Sequence, residues 1–191
     1  MCKTIRIYRH GETEWNKQGV LQGWLDSPLT EYGKQQVQDV DWQPDIVYAS
    51  DLQRAISTAT WMFPNMEIHT DARLREIYLG DWQGQPIVHL QQQVNYQYYS
   101  EAPEKFIADS QESFEQVANR LLAFLQSIKE IPQQQIAVVS HGVAIACLQW
   151  AIEKRSLATL WQKGMLSGGD FISLYLDEEE WYLEKITLQK I

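Results

Sequence analysis

A chain of 191 residues, 45% hydrophobic and 21% charged, can bury a core without disulfides or a structural metal and reads as one domain spanning 1–191. Its formal net charge of −9 argues against a nucleic-acid partner, because phosphate-backbone binding relies on excess Lys and Arg. The longest apolar runs, such as Val143 to Leu148, fall far short of the roughly 18 residues that cross a bilayer, so no membrane span is expected. The first eight residues break their apolar positions with charges, unlike a secretion signal, and the two cysteines, Cys2 and Cys147, are no disulfide framework. These features predict a cytoplasmic protein.

In chain order, Ile5-Arg6-Ile7-Tyr8 alternates as a strand and runs into Arg9-His10-Gly11. Thr30 is a candidate N-cap for a polar helix reaching about Val40. Ile46 to Ala49 is a short buried strand, and Ser50-Asp51 opens a second helix through about Met62. Met66 to His69 is a third strand. Gln85 to about Tyr99, rich in Gln and Tyr, has no strong period and is placed as helix and loop covering the core. From Glu112 to Lys129 the apolar residues Phe114, Val117, Leu121, Leu122, Leu125 and Ile128 recur at helical spacing. Ile136 to Val139 is a continuous apolar run suited to a central parallel strand, and a helix follows from about Val143. Phe171 to Leu176 and Trp181 to Ile186 form a terminal hairpin around the acidic run Asp177 to Glu180, read as a solvated turn. The pattern predicts an α/β fold: a three-layer α/β/α sandwich on a mostly parallel sheet, with a small cap segment at about 85–113 and a C-terminal β-hairpin.

Two strand ends, Arg9-His10-Gly11 and Ser140-His141-Gly142, each deliver His-Gly to the edge where open α/β sheets bind ligands. Arg9 and Arg54 add guanidinium forks matched to phosphate oxygens, Arg54 from about one turn into the helix after the Ile46 strand. Exposed amides at the helix start after Gly142 would also suit an anion. Two His and two Arg make a pocket for a dianionic phosphoryl group. The four histidines show no paired metal-ligand spacing, so neither metal nor other cofactor is expected, and His69 and His89 receive no role. Trp15, Trp24 and Trp82 flank these segments and are read as packing residues.

The run Arg9-His10-Gly11-Glu12-Thr13-Glu14-Trp15-Asn16 resembles the signature of the histidine phosphatase superfamily, the phosphoglycerate mutase-like proteins. The resemblance continues through Gln22-Gly23-Trp24-Leu25-Asp26-Ser27-Pro28-Leu29-Thr30, Ser50 to Ala55, Leu74 to Trp82, Glu112-Ser113-Phe114 and Ser140-His141-Gly142. It implies that His10 is the nucleophile, that Arg9, Arg54 and His141 hold the transferred phosphoryl group, and that Glu76 is the proton donor. Asn16, Gln22, Gly23 and Gly142 would contribute to phosphate or substrate binding. The residues alone do not separate Glu76 from Glu12, Glu14, Asp26, Asp51 or Asp81.

The resemblance implies metal-independent hydrolysis of a small-molecule phosphomonoester through a phosphohistidine on His10. The family's short phosphatases, broad-specificity or α-ribazole enzymes, are the nearest in form. A phosphoglycerate mutase is the alternative. Family mutases carry an inserted segment with adjacent arginines for the glycerate carboxylate and a tyrosine at the Leu79 position, whereas Gln91 to Phe106 contains no arginine here. A non-catalytic phospho-ligand-binding protein is a second alternative, which would be expected to lose His10 or Glu76 first. No coiled coil or apolar stripe outside the core sets an oligomeric state.

Overall fold

In the computed structural model, which describes residues 3–38 and 40–184, the apolar runs become a six-stranded sheet of order β3-β2-β4-β1-β5-β6. The strands are β1 (Thr4–Arg9), β2 (Ile46–Ala49), β3 (Ile68–Thr70), β4 (Gln135–Ser140), β5 (Phe171–Asp177) and β6 (Glu180–Leu183). β1 to β4 pair in parallel, while β5 runs antiparallel to β1 and β6 antiparallel to β5. β1 and β4 lie side by side in register, with Arg9 opposite Ser140, so the two His-Gly corners leave the sheet at the same edge. The helices are α1 (Glu14–Gln18), α2 (Glu31–Gln36), α3 (Gln53–Met62), α4 (Ile87–Leu90), α5 (Val94–Glu101), α6 (Phe114–Ser127) and α7 (Gly142–Ile152).

Alternation along the strands divides the core into two layers. Ile5, Ile7, Ile136 and Val138 pack with α6 and α7 on one face, whereas Tyr8, Val47, Ala137 and Val139 pack with Ala55, Ala59 and Met62 of α3 on the other. Helices therefore cover both faces, which is why the Ile136 to Val139 run has no polar side. α6 is held by a capping box between Ser113 and Gln116. Its buried stripe includes Ala118 and Phe124, while Leu122 faces solvent.

Several boundaries differ from the sequence reading. Thr30 caps α2 as expected, its Oγ1 accepting from the Gly33 amide at 2.8 Å, but the helix stops at Gln36 instead of about Val40. Val37 leaves the helix to be buried with Tyr8 and Val47. β3 begins two residues later than expected, at Ile68. α1 and a 3-10 helix at Leu157–Lys163 were not anticipated. In the hairpin, Glu178 and Glu179 take φ of 41° and 76°, the two left-handed residues of a tight two-residue turn. The expected end of the second strand, Ile186, lies outside the described residues. No helix among the described residues is long and apolar enough to cross a membrane.

The cap consists of α4, α5 and a 3-10 turn at Pro103–Lys105. Tyr99 is its hub. Its ring lies 5.3 to 5.9 Å from those of Trp82, Tyr96, Phe106, Phe114 and Trp161, and Trp161 Nε1 donates to the Tyr99 carbonyl at 2.8 Å.

Candidate active site

The first corner is set by backbone packing. A Cβ on Gly11 would collide with the carbonyl oxygen of Gly33, so glycine here lets the loop after β1 lie directly on α2. His10, 3% exposed, has its Nδ1 2.7 Å from its neighbour's carbonyl, Gly11 O. A carbonyl can only accept, so Nδ1 carries the proton and Nε2 keeps the lone pair. Arg54 Nε donates toward that Nε2 at 3.3 Å. Burial first, then the Arg54 and Arg9 charges, hold the His10 pKa well below 6.5, which keeps the imidazole neutral and nucleophilic.

Arg54 is anchored on every remaining side. Its terminal nitrogens donate to the carbonyls of Gly23 (2.7 Å) and Leu25 (2.8 Å) and to Asp26 Oδ1 (2.8 Å). Asp26 also accepts the Gln53 and Arg54 amides, so it caps α3, whose own N-cap residue Leu52 supplies no side-chain bond. Arg9 donates to the Leu166 carbonyl, while its buried Nε has no partner.

His141 is fully buried, its ring centroid 5.1 Å from that of His10, and neither of its ring nitrogens has a hydrogen-bond partner. Burial and the Arg54 charge hold its pKa well below 6.5 too. Gly142 brings Met165 Sδ to 2.6 Å of where a Cβ would stand, so any larger residue would push against Met165.

The amides of α7 do not stay open as the sequence reading supposed. Those of Val143 and Ala144 donate to the carboxylate of Glu76 at 3.1 and 2.8 Å, because a helix N-terminus attracts a negative side chain. Glu76 Oε1 also accepts from Ile77 N at 3.0 Å.

The loop carrying Glu76 is clamped from outside. Arg120 of α6 donates to the carbonyls of Arg73, Arg75 and Glu76 and pairs through Nε and a terminal nitrogen with both oxygens of Glu112. Glu112 in turn accepts the Tyr78 amide at 2.7 Å. Asp51 binds Arg75 bidentately, Arg75 lies over the Trp24 ring, and Trp24 Nε1 donates to the Glu76 carbonyl at 2.8 Å. Trp24 is therefore a positioning residue more than a packing one. Sequence reasoning missed Arg120 altogether. It singled out Glu112 only as part of a matching motif, without a role.

A cavity of about 330 Å³ opens over these groups. Arg9, His10, Asn16, Gln22, Gly23, Arg54 and Glu76 line it, whereas His141 and Gly142 are not among its lining residues. Asn16 Oδ1 accepts from Thr13 in a capping box, and Gln22 Oε1 accepts from Ser27 Oγ at 3.2 Å. With both amide oxygens engaged, the NH₂ ends remain as neutral donors. Among the described residues Glu76 is the one carboxylate lining this cavity. Asp26 and Asp51 are committed to arginines, and Glu12, which receives Thr30 Oγ1 at 2.8 Å, borders a smaller neighbouring opening.

Comparison with known proteins agrees with this architecture. The sequence model of the Histidine phosphatase superfamily (branch 1) matches residues 5–189. Phosphoserine phosphatase 1 of Hydrogenobacter thermophilus is 29% identical over 98% of this chain and 93% of its own. Phosphoglycerate mutase-like protein 4 of Arabidopsis thaliana is 34% identical over 75% of this chain and 68% of its own. The solved structure of Bacillus stearothermophilus YhfR superposes with a TM-score of 0.87 at 31% identity, covering 94% of each chain. With the family model matching nearly its whole length and its fold shared with YhfR, the chain belongs to the histidine phosphatase superfamily.

Proposed function

We propose that this protein is a phosphohydrolase that cleaves a small-molecule phosphomonoester through a phosphohistidine formed at His10 Nε2. The observation that carries this reading is the fixed tautomer of His10, with Nδ1 spent on Gly11 O and the lone pair of Nε2 at a cavity lined by Arg9, Arg54 and Asn16. Nε2 attacks phosphorus, the bond to the ester oxygen breaks, and the alkoxide leaves with a proton from Glu76. Water then attacks the phosphohistidine, Glu76 accepts its proton, and phosphate departs. Arg9, Arg54 and the donors of Asn16 and Gln22 offset charge on the equatorial oxygens, and the unpartnered ring nitrogens of His141 and Nε of Arg9 suit the same group. Glu76 Oε2 receives one N–H, from Val143, and so retains capacity for the transferred proton.

The phosphatase name of the Hydrogenobacter relative, which aligns over nearly the whole chain, supports hydrolysis. A mutase must also hold a phosphoglycerate carboxylate, and beyond Arg9 and Arg54 the cavity lining supplies no cation among the described residues. We read residues 1–191 as one domain and, with Cys147 free and buried, place the protein in the reducing cytoplasm. The test is phosphate release from phosphomonoesters in the presence of EDTA. Turnover that persists in EDTA and vanishes in His10→Ala supports the metal-free phosphohistidine route, and activity that survives loss of His10 overturns it.

A further inference from the structure

Resting on the phosphatase reading, we propose that the leaving group is an uncharged, largely apolar alcohol, and that the site selects against esters bearing a carboxylate. The cavity is lined by the phosphate-binding groups and by a set of neutral side chains. The neutral set is dominated by the hydrocarbon and ring surface of Leu21, Leu79, Ile87, Tyr96, Tyr99 and Trp161. Among the described residues two cations line the cavity, Arg9 and Arg54, and both belong to the phosphoryl site. Arg54 is bonded to Gly23, Leu25 and Asp26, and Arg9 reaches the Leu166 carbonyl, so neither fork can swing out to a second anion without breaking these bonds.

A carboxylate on the alcohol would therefore be desolvated beside these largely apolar walls, and the lining carboxylate Glu76 has the same sign of charge. An apolar group meets the opposite situation. Tyr99 is locked among five aromatic rings and Trp161 is tied to its carbonyl, so the wall is already ordered and binding an aryl or alkyl group costs little further side-chain entropy. The volume admits one or two rings beyond the phosphoryl group.

The test compares kcat/KM of the full chain for 2-phenylethyl phosphate and n-butyl phosphate with that for phosphoserine and 3-phosphoglycerate, all alkyl esters, so that leaving-group basicity is not the main difference. The uncharged esters are expected to be favoured by about 100-fold or more. Ile87→Arg, which places a cation in the apolar wall, is expected to raise the carboxylate esters by about 10-fold relative to 2-phenylethyl phosphate. Calorimetric binding of 2-phenylethylphosphonate against phosphonoacetate reads the same preference without chemistry. Faster turnover or tighter binding of the carboxylate members overturns this inference and leaves the phosphatase reading intact. No turnover of any ester, with 2-phenylethylphosphonate still bound more tightly, overturns the phosphatase reading and upholds the preference.

Discussion

The two ends of the active-site cavity are held by different forces. At the phosphoryl end every charged side chain is fixed by named bonds: Arg54 by two carbonyls and Asp26, Glu76 by three amides, and the Glu76 loop by Arg120. At the cap end the wall is set by ring packing around Tyr99, with one hydrogen bond from Trp161. Charge that must be stabilised at one point needs preorganised donors, whereas an apolar group needs only shape. The first end should therefore tolerate no substitution, and the second should trade one substrate for another.

The largest break in this contrast is His10→Ala, expected to lower kcat by about 10⁶-fold with the fold retained, since it removes the nucleophile and little packing. Stopped-flow trapping of the phosphoenzyme with ³²P-labelled ester should show none. Arg54→Met comes next, with kcat/KM down about 10³-fold. Because the side chain is 1% exposed and its loss leaves two carbonyls without their donor, denaturant unfolding should show a cost of about 2–4 kcal/mol.

Arg120→Lys keeps the charge but loses the fork that spans Glu112 and three carbonyls, and kcat is expected to fall about 10- to 100-fold through displacement of Glu76. If the clamp acts through Glu76, the loss grows with the basicity of the leaving group. An equal loss for all esters would mean that Arg120 merely supports the fold.

The pH behaviour probes the phosphoryl end without mutation. His10 and His141 are both held below 6.5 by burial and by Arg54, so ¹⁵N spectra should show neutral rings at pH 6.5 and somewhat below. The unfolded chain takes up those protons first. Stability should thus fall as pH drops from about 6.5 toward the folded values, and a histidine ring charged at pH 7 would refute the assignment. The smallest effect lies far from the cavity. Replacing Glu178-Glu179 by Asn-Gly in the β5–β6 turn should stabilise the fold by about 1 kcal/mol, because both positions have positive φ, and leave kcat unchanged.

The same contrast governs what could be read from sequence. His10, Arg9, Arg54 and His141 were legible because each stands at a strand end or in the first turn of a helix, where the local pattern fixes the backbone position. Glu76 was selected only by family resemblance, since the α7 amides it occupies lie 67 and 68 residues away. Arg120 was invisible for the same reason, its carbonyl partners being 44 to 47 residues distant. The opening expected at the α7 amides was misplaced because nothing local announces that Glu76 fills it. The cap was weakly legible because α5 buries only Tyr96 and Tyr99, and their neighbour Trp161 comes from a 3-10 helix with no periodic signal.

Two helices, α3 and α7, begin without a side-chain cap of their own and are finished by carboxylates from other segments, Asp26 and Glu76. During folding their first turns can close only after chain segments 27 and 67 or 68 residues apart have met. Catalytic competence should consequently arrive in the last cooperative step, together with native exchange protection of the Gln53, Val143 and Ala144 amides, and local opening of either turn would uncouple the acid from the nucleophile while most of the sheet stays intact.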